Sequence, residues 1–224
     1  MKPSESPIRR MRVLIVDDHP MTRAGLAHLI NHQPDLVVCG EAENAGQALA
    51  ALEVNLPDLV LLDITLPGKS GLEVIKDIKA IRPGLPVLVV SMHDESLYAD
   101  RVLRAGARGY ITKHEGGEKL MRAIRQVLSG KVYVSETMSA HILDVFSGGP
   151  TRHRSSIEHL SDREFEVFEL IGQGLAARQI AARLHLSSKT VDAHRANIKE
   201  KLKIKTSAEL ISFAARWIAD QPGK

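Results

Sequence analysis

The chain has 224 residues, which is enough for one large domain or two modest ones. Its composition is that of a water-soluble globular protein, and its single cysteine, Cys39, excludes an internal disulfide. No apolar stretch approaches the length needed to cross a membrane, and no secretory signal opens the chain, so we expect a cytoplasmic protein without a membrane partner.

Five short apolar segments alternate with helical patterns over the first 130 residues, after a predicted disordered tail at 1–10. Apolar runs of this kind, separated by helices, are typical of buried parallel strands. The alternation predicts an α/β domain with a five-stranded, doubly wound parallel sheet. Gly40 is expected to be a turn residue after the second strand. The predicted strands are 12–16, 36–39, 59–63, 87–91 and 108–111.

Charged residues stand at the ends of three of these predicted strands. Asp17 and Asp18 follow the first strand, Asp63 ends the third, and Lys113 follows the fifth. Because the functional cleft of such a sheet lies beyond the carboxyl ends of its strands, we expect one shared pocket. Clustered carboxylates repel one another, so a hard divalent cation such as Mg²⁺ is their natural partner, and an ammonium group neutralises the remaining charge. The pocket therefore predicts a site for making and holding an aspartyl phosphate.

The motifs MRVLIVDDHP, LVLLDITLPG, VLVVSMH and ARGYITKHE resemble the receiver domain of two-component response regulators. The resemblance covers residues 11–130 and implies a flavodoxin-like fold with bound Mg²⁺. It implies Asp63 as phosphoacceptor, Asp17, Asp18, Asp63 and the backbone carbonyl of Thr65 as metal ligands, Lys113 as the family's lysine, and Ser91 and Tyr110 as its switch hydroxyl and switch aromatic.

A linker is predicted over residues 131–156. Its first part has apolar residues at helical spacing, which predicts a short helix capped by Ser135. The stretch SGGPTRHRSS, residues 147–156, is rich in Gly, Ser and Arg, so it buries little and is predicted to be a flexible hinge. We therefore expect the domain boundary in this linker.

Residues 157–224 have helical patterns throughout and predict an all-α domain of four helices. A capping box from Ser161 to Glu164 begins the first helix, and a second Thr-x-x-Glu box begins the fourth at Thr206. Residues 189–205 contain six basic residues and only two acidic ones, which indicates contact with a polyanion. A helix, a tight turn and a basic helix predict a helix-turn-helix whose second helix enters the major groove of DNA.

The motifs LSDREFEV, GQGLAARQIAARL and SSKTVDAHRANI resemble the LuxR-type helix-turn-helix, and together with a receiver domain they resemble the NarL/FixJ subfamily. The resemblance implies double-stranded DNA, a sensor histidine kinase, a second copy of the chain in the active form and RNA polymerase as partners. Three residues match base-reading positions: Asp192, Ala193 and Ala196. The other residues expected on DNA are Lys189, Thr190, His194, Arg195, Lys199 and Lys201, with Lys189, Arg195, Lys199 and Lys201 meeting phosphates.

The resulting prediction is a DNA-binding transcriptional regulator that is switched by phosphorylation of Asp63. It acts as an enzyme only in its own phosphotransfer and dephosphorylation, with a kinase or a small phosphodonor as the source. A metal-dependent phosphohydrolase would place a second carboxylate two residues after the nucleophile, where this chain has Thr65. A small-molecule-sensing LuxR-type activator would lack the acidic pocket. A receiver controlled without phosphorylation is a third alternative, disfavoured by the complete set of phosphorylation residues.

Three further features have two interpretations each. His19 either borders the metal pocket or serves the start of the first helix, and His93 either reaches the phosphoryl group or does not. Trp217 and Ile218 complete the small helical core or form a dimer contact. The switch itself also has two forms: the receiver inhibits the DNA-binding domain until phosphorylation releases it, or phosphorylation drives receiver dimerisation.

Overall fold

The computed structural model describes residues 9–136, 138–140, 157 and 159–219. These residues form two compact units. The first contains the chain up to Glu95 together with Arg101–Ser135, and the second contains Ser96–Asp100 and the chain from Glu136 onward. The hinge predicted at 147–156 lies outside the described residues. Within the described ranges, no helix has both the length and the apolar character needed to cross a bilayer.

The first unit is built on the predicted five-stranded parallel sheet, in the order β2-β1-β3-β4-β5. Crossover helices connect the strands, so the doubly wound α/β fold is confirmed. The strands are β1 Met11–Val16, β2 Leu36–Ala42, β3 Leu59–Leu62, β4 Val87–Ser91 and β5 Gly109–Thr112. The helices of this unit are α1 Pro20–Asn31, α2 Ala45–Asn55, α3 Gly71–Ile81 and α5 Gly117–Leu128. Helix α4, Glu95–Arg104, is divided, because its residues Ser96–Asp100 are assigned to the second unit.

The core of this unit explains why the strands are continuous apolar runs. All four residues of β3 are buried, because helices cover both faces of a parallel sheet. On one face, α1 contributes Leu26 and Ile30, and α5 contributes Leu120 and Ile124. Each fully buried side chain of this type stabilises the fold by roughly 1.5–3 kcal/mol. This packing holds the ends of β1 and β3 side by side, where the acidic residues follow.

Gly40 differs from its expected place in a turn. It lies inside β2 and pairs with Leu14, after a shift of register between Val13 and Leu14. The strand therefore continues to Ala42 instead of ending at Cys39. A glycine inside a strand commonly marks such an irregularity, since it lacks a side chain to pack.

Residues 131–135 were predicted to belong to the linker, but they remain attached to the sheet. Tyr133 forms a parallel bridge with Gly109, and its backbone N–H donates to the carbonyl of Arg108 at 2.9 Å. The backbone N–H of Ser135 donates to the carboxylate of Glu95 at 2.9 Å. The first unit therefore extends to Ser135, because these bonds satisfy backbone groups at the edge of β5.

The second unit contains the four predicted helices: α6 Asp162–Gly172, α7 Ala177–Arg183, α8 Ser188–Leu202 and α9 Ser207–Ala219. The capping box that begins α6 is present in both directions, between Ser161 and Glu164. At the start of α9, Thr206 accepts from the backbone of Glu209 at 3.1 Å. The carboxylate of Glu209 reaches back to the backbone of Lys205 at 3.1 Å, one residue earlier than a standard box.

Helices α6 and α9 approach each other closely. A Cβ atom at Gly172 would lie 2.7 Å from the carbonyl oxygen of Ala214, so only glycine permits this contact. The ring of Phe168 packs against Phe213 and Trp217, with centroids 5.9 and 5.6 Å apart. Trp217 therefore takes part in the core of this unit, as one of its two interpretations required.

Candidate functional site

Charged side chains from three strand ends meet at the carboxyl edge of the sheet. The ammonium of Lys113, after β5, lies 2.5 Å from Oδ2 of Asp63 and 2.7 Å from Oδ2 of Asp17. Asp63 follows β3 and Asp17 follows β1, the neighbouring strand, where the order of the strands reverses. This is the place at which open α/β sheets form their binding crevices. The structure thus brings together Asp17, Asp63 and Lys113, three of the four residues that the strand-end argument placed in one pocket.

Backbone contacts hold these groups in place. The N–H of Asp63 donates to the carbonyl of Val16 at 2.8 Å, and the N–H of Lys113 donates to the carbonyl of Ser91 at 2.7 Å. A Cβ atom on Gly71 would lie 2.5 Å from the carbonyl oxygen of Asp63. Glycine at this position therefore lets the start of α3 pass close to the backbone of Asp63.

Burial makes the electrostatics of the pocket strong. Burial raises the pKa of Asp63 above its ordinary value, and the neighbouring Asp17 adds to that effect, while Lys113 opposes it. Burial by itself would lower the pKa of Lys113, but the carboxylates of Asp63 and Asp17 raise it overall. The protonation of Asp63 and that of Lys113 are thus linked, so a change in the charge of one residue alters the pKa of the other.

The donor set of the pocket fits a divalent cation. Ligand atoms from Asp17, Asp18, His19 and Asp63 all lie within 4.8 Å of one another. Carboxylate oxygens are the ligands that Mg²⁺ prefers, and one or two of them are sufficient in sites that also bind phosphate. The Thr65 backbone N–H donates to Oδ1 of Asp63 at 3.3 Å, which places Thr65 beside the carboxylate. The role of its carbonyl as a metal ligand stays a prediction.

A hydrogen-bond network around His93 joins Ser91 and Tyr110, the two predicted switch residues. Its backbone N–H donates to Oγ of Ser91 at 3.3 Å, and its carbonyl accepts from the hydroxyl of Tyr110 at 2.8 Å. Its Nε2 lies 3.0 Å from Oγ1 of Thr65. Ser91 and Tyr110 are both fully buried, so the aromatic ring already lies inside the protein. Sequence reasoning left open whether His93 reaches the phosphoryl group, and it missed this bridging role because Thr65 and Tyr110 are distant along the chain.

Helix α8 has one buried side and one exposed side. Its first turn is capped by Ser187, whose Oγ accepts from the N–H of Thr190 at 3.0 Å. Val191 and Ile198 are fully buried and fix the helix on its unit. Of the residues predicted on DNA, the exposed ones are Lys189, Thr190, Asp192, Ala193, Ala196 and Lys201, and the half-buried ones are His194, Arg195 and Lys199. The predicted base-reading positions therefore lie on the exposed side.

Lys201 has a partner inside its own unit. Its ammonium donates to Oε2 of Glu164 at 2.6 Å, and the same oxygen accepts from the backbone of Ser161 at 2.7 Å. Burial alone would raise the pKa of Glu164, but donation from Lys201 and Ser161 lowers it overall. Glu164 thus links the start of α6 to the end of α8. Whether Lys201 also meets a phosphate stays a prediction.

Arg163 supports the turn between α7 and α8. Its guanidinium donates to the carbonyl of Leu184, at the end of α7, at 2.9 Å. It also donates to the carboxylate of Glu166 at 2.6 Å. The last carbonyls of a helix lack intrahelical partners, so a buried guanidinium there stabilises the turn. Arg163 belongs to the motif LSDREFEV, but only the structure shows that it contacts the end of α7.

Comparison with known proteins identifies both units. Residues 13–125 match the family model of the response regulator receiver domain, and residues 158–214 match that of bacterial regulatory proteins of the luxR family. The oxygen regulatory protein NreC of Staphylococcus haemolyticus is 34% identical over 215 residues, which covers 92% of this chain and 97% of that protein.

Two solved structures of RcsB are similar over most of the chain. One, from Salmonella enterica serovar Typhimurium, is bound to promoter rprA in the presence of phosphomimetic BeF3-; its TM-score is 0.62 at 25% identity, covering 92% of this chain and 99% of that chain. The other contains two RcsB dimers bound to two parallel DNAs, with a TM-score of 0.57 at 25% identity, covering 92% of this chain and 98% of that chain.

Proposed function

Since this chain belongs to the two-component response regulators of the NarL/FixJ type, with a receiver domain and a LuxR-type DNA-binding domain, we propose that phosphorylation of Asp63 controls its binding to DNA and thereby transcription. The observation that carries the proposal is the buried ammonium of Lys113 between Asp63 and Asp17. This arrangement holds one carboxylate ready to react at the edge of the sheet where ligands bind.

The side chains of the pocket divide the work of phosphotransfer. An oxygen of Asp63 attacks the phosphorus of the donor, and the bond to the leaving group breaks with its electron pair on that group. The ammonium of Lys113 lies 2.5 Å from Asp63 and offers a hydrogen bond to an oxygen of the new phosphoryl group. Mg²⁺, when bound by Asp17, Asp18 and Asp63, supplies positive charge that offsets the charge developing on the phosphoryl oxygens. A sensor histidine kinase or a small phosphodonor provides the phosphoryl group, and the chain needs no further catalytic activity.

The network around His93 carries the change away from Asp63. A phosphoryl group on Asp63 draws the hydroxyl of Ser91 toward it, and Ser91 is bonded to the backbone of His93 at 3.3 Å. The carbonyl of the same residue holds the hydroxyl of Tyr110. Movement of Ser91 therefore favours a new position of the Tyr110 side chain. A shift of only a few kcal/mol between two such arrangements is sufficient for control.

Helix α8 is the DNA-reading element in this proposal. Its exposed Asp192, Ala193 and Ala196 face base edges, and its basic residues meet phosphates. An aspartate accepts a hydrogen bond from the amino group of cytosine, which would make Asp192 a determinant of sequence preference. The two RcsB structures, one bound to a promoter and one containing dimers bound to DNA, support binding of this chain to double-stranded DNA. In this proposal the protein acts in the cytoplasm, with RNA polymerase as a further partner.

The active form binds DNA as a homodimer. One recognition helix reads too few base pairs to select a site in a genome, whereas two supply half-sites about one helical turn apart. On α9, Leu210 and Ala214 are fully buried in the core, but Ile211 is 45% exposed. A single exposed apolar residue does not mark an interface, so the dimer is inferred from the two half-sites that selection of a genomic site requires.

The proposal is tested by treating the full-length protein with acetyl phosphate and Mg²⁺. The intact mass should rise by one phosphoryl group, and the same sample should bind promoter DNA more tightly. The variant Asp63→Asn should show neither change. Asp58→Asn is the matched control, since Asp58 lies at the opposite end of β3 and accepts from the backbone of Arg12 at 2.8 Å. Phosphorylation retained in Asp63→Asn would exclude the proposal.

A further inference from the structure

His19 begins α1 but its side chain does not serve the helix. It occupies the N-cap position with an extended backbone, and no hydrogen bond runs from its side chain to the first turn. Only its backbone is used locally: the N–H donates to Oδ1 of Asp17 at 2.9 Å, and the carbonyl accepts from the N–H of Arg23 at 3.1 Å. The imidazole is therefore turned away from the role that Ser, Thr, Asp or Asn would have at this position.

The imidazole lies instead against the acidic pair. Its Nδ1 is 2.7 Å from Oδ1 of Asp18 and 3.3 Å from Oδ1 of Asp17. Together with Asp63 these residues offer ligand atoms no more than 4.8 Å apart. A divalent ion with bonds of about 2.0–2.2 Å spans opposite ligands that are about 4.0–4.4 Å apart, so the set fits after a contraction of a few tenths of an ångström. The side chain of His19 is 63% exposed, so nothing rigid opposes that adjustment.

We infer that His19 supplies a nitrogen ligand to the cation site, and that it shifts the metal preference of the receiver toward Mn²⁺ and Co²⁺. The inference rests on the proposed function, because it uses the same site. Carboxylate and carbonyl oxygens suit both Mg²⁺ and Mn²⁺, whereas an added imidazole nitrogen raises the affinity for first-row transition metals over that for Mg²⁺, more for Co²⁺ than for Mn²⁺. The cation bound in the presence of several metals would then depend on His19, while phosphotransfer to Asp63 would proceed with either kind of ion.

The direct test is pulsed electron paramagnetic resonance of Mn²⁺ bound to the full-length protein. Wild type should show a nitrogen hyperfine coupling from a coordinated imidazole, and His19→Ala should not. His28→Ala is the matched control: His28 is an exposed histidine on the same helix, and its loss should leave the coupling unchanged. Calorimetric titration of the same proteins should show a Co²⁺ affinity at least about tenfold lower in His19→Ala, the smallest loss expected for a metal-site residue. The affinity for Mg²⁺ should change much less.

The outcomes separate this inference from the proposed function. If wild type and His19→Ala both bind Mn²⁺ but neither shows the nitrogen coupling, His19 is not a ligand and the inference is overturned. A coupling that persists in His19→Ala overturns it as well. Failure of wild type to bind Mg²⁺ or Mn²⁺ at all would instead remove the cation site of the proposed function. Acetyl phosphate labelling of wild type with Mg²⁺ reports on the proposed function alone, and its absence would overturn that function whatever the nitrogen coupling shows.

Discussion

The receiver pocket and helix α8 both depend on charged side chains, but they hold them in opposite ways. In the pocket, the side chains of Asp17, Asp63 and Lys113 are only 2%, 3% and 8% exposed. On α8, Lys189 and Asp192 are exposed to solvent. Coulombic interactions are strong where water is excluded and weak at a surface.

The contrast follows from what each region must recognise. A single phosphoryl group needs a few charges held at fixed positions, and burial provides that rigidity. A DNA duplex presents a long row of phosphates, so exposed cations that displace counterions are sufficient. Substitutions in the pocket should therefore have nearly all-or-none effects, whereas substitutions on α8 should have graded effects.

The largest effect is expected at Asp18. Removing its carboxylate takes one ligand from a site with few protein ligands, so Asp18→Ala should lower the Mg²⁺ affinity by more than about 100-fold. Asp17→Ala should have a smaller effect on the metal, because Asp17 also balances Lys113. Calorimetric titration with Mg²⁺ measures both. Wild-type affinity in Asp18→Ala would contradict the idea that the pocket acts as one unit.

Truncation at Ile157 separates the two forms of the switch. If the receiver inhibits the second unit, the fragment should bind promoter DNA as tightly as the phosphorylated full-length protein. Its affinity should then exceed that of the unphosphorylated protein by about 5- to 150-fold, the usual range of coupling between sites. We expect this outcome. Much weaker binding by the fragment would instead assign the switch to dimerisation through the receiver, and sedimentation of the phosphorylated protein would show the dimer.

Lys199 tests the graded behaviour of α8. Lys199→Ala should weaken binding to every DNA sequence and reduce the slope of log affinity against log salt by about 0.9, the contribution of one phosphate contact. Lys201→Ala should change the slope less if its ion pair with Glu164 persists on DNA.

Asp192→Lys should instead alter the preferred sequence in a selection experiment. An unchanged preference would remove Asp192 from the base-reading positions.

The smallest effect is expected for the ion pair between Glu164 and Lys201. This pair is intermediate between the pocket and the surface of α8, because Glu164 is buried and Lys201 is exposed. The folded-state pKa of this group is lowered overall from its ordinary value of 4.5. Its stabilising effect is therefore fully present above pH 4.5 and is lost as the pH falls through the lowered value. Glu164→Gln should reduce the free energy of unfolding by about 1 kcal/mol at pH 7.

Urea unfolding at pH 7 and at pH 3.5 checks this sign, since wild type should lose part of its stability at the lower pH and Glu164→Gln should lose less. Glu200→Gln, at an exposed position of α8, is the matched control and should follow wild type. Equal losses in wild type and Glu164→Gln would show that the pair adds nothing to stability.

The residues of the pocket were largely predictable, because the apolar runs that form buried strands show where each strand ends. A buried parallel strand must be a continuous apolar run, so the positions of Asp17 and Asp63 at strand ends were visible along the chain. β4 has the predicted bounds, 87–91, because Pro86 and Ser91 delimit it. Gly40 was misplaced because a glycine in a turn and a glycine at a strand irregularity have the same local pattern.

The sequence by itself determined the order of strands and helices, the charged residues at the strand ends and the exposed basic side of α8, since these follow from periodicity and chain order. Only the tertiary structure decided which distant partner a polar group takes. His19 lies on the carboxylates rather than on its helix, Glu164 pairs with a lysine 37 residues away, and Tyr133 extends the edge of β5. The physical reason is that a hydrogen bond acts over about 3 Å in space, and local sequence does not specify which distant residues packing brings within that distance.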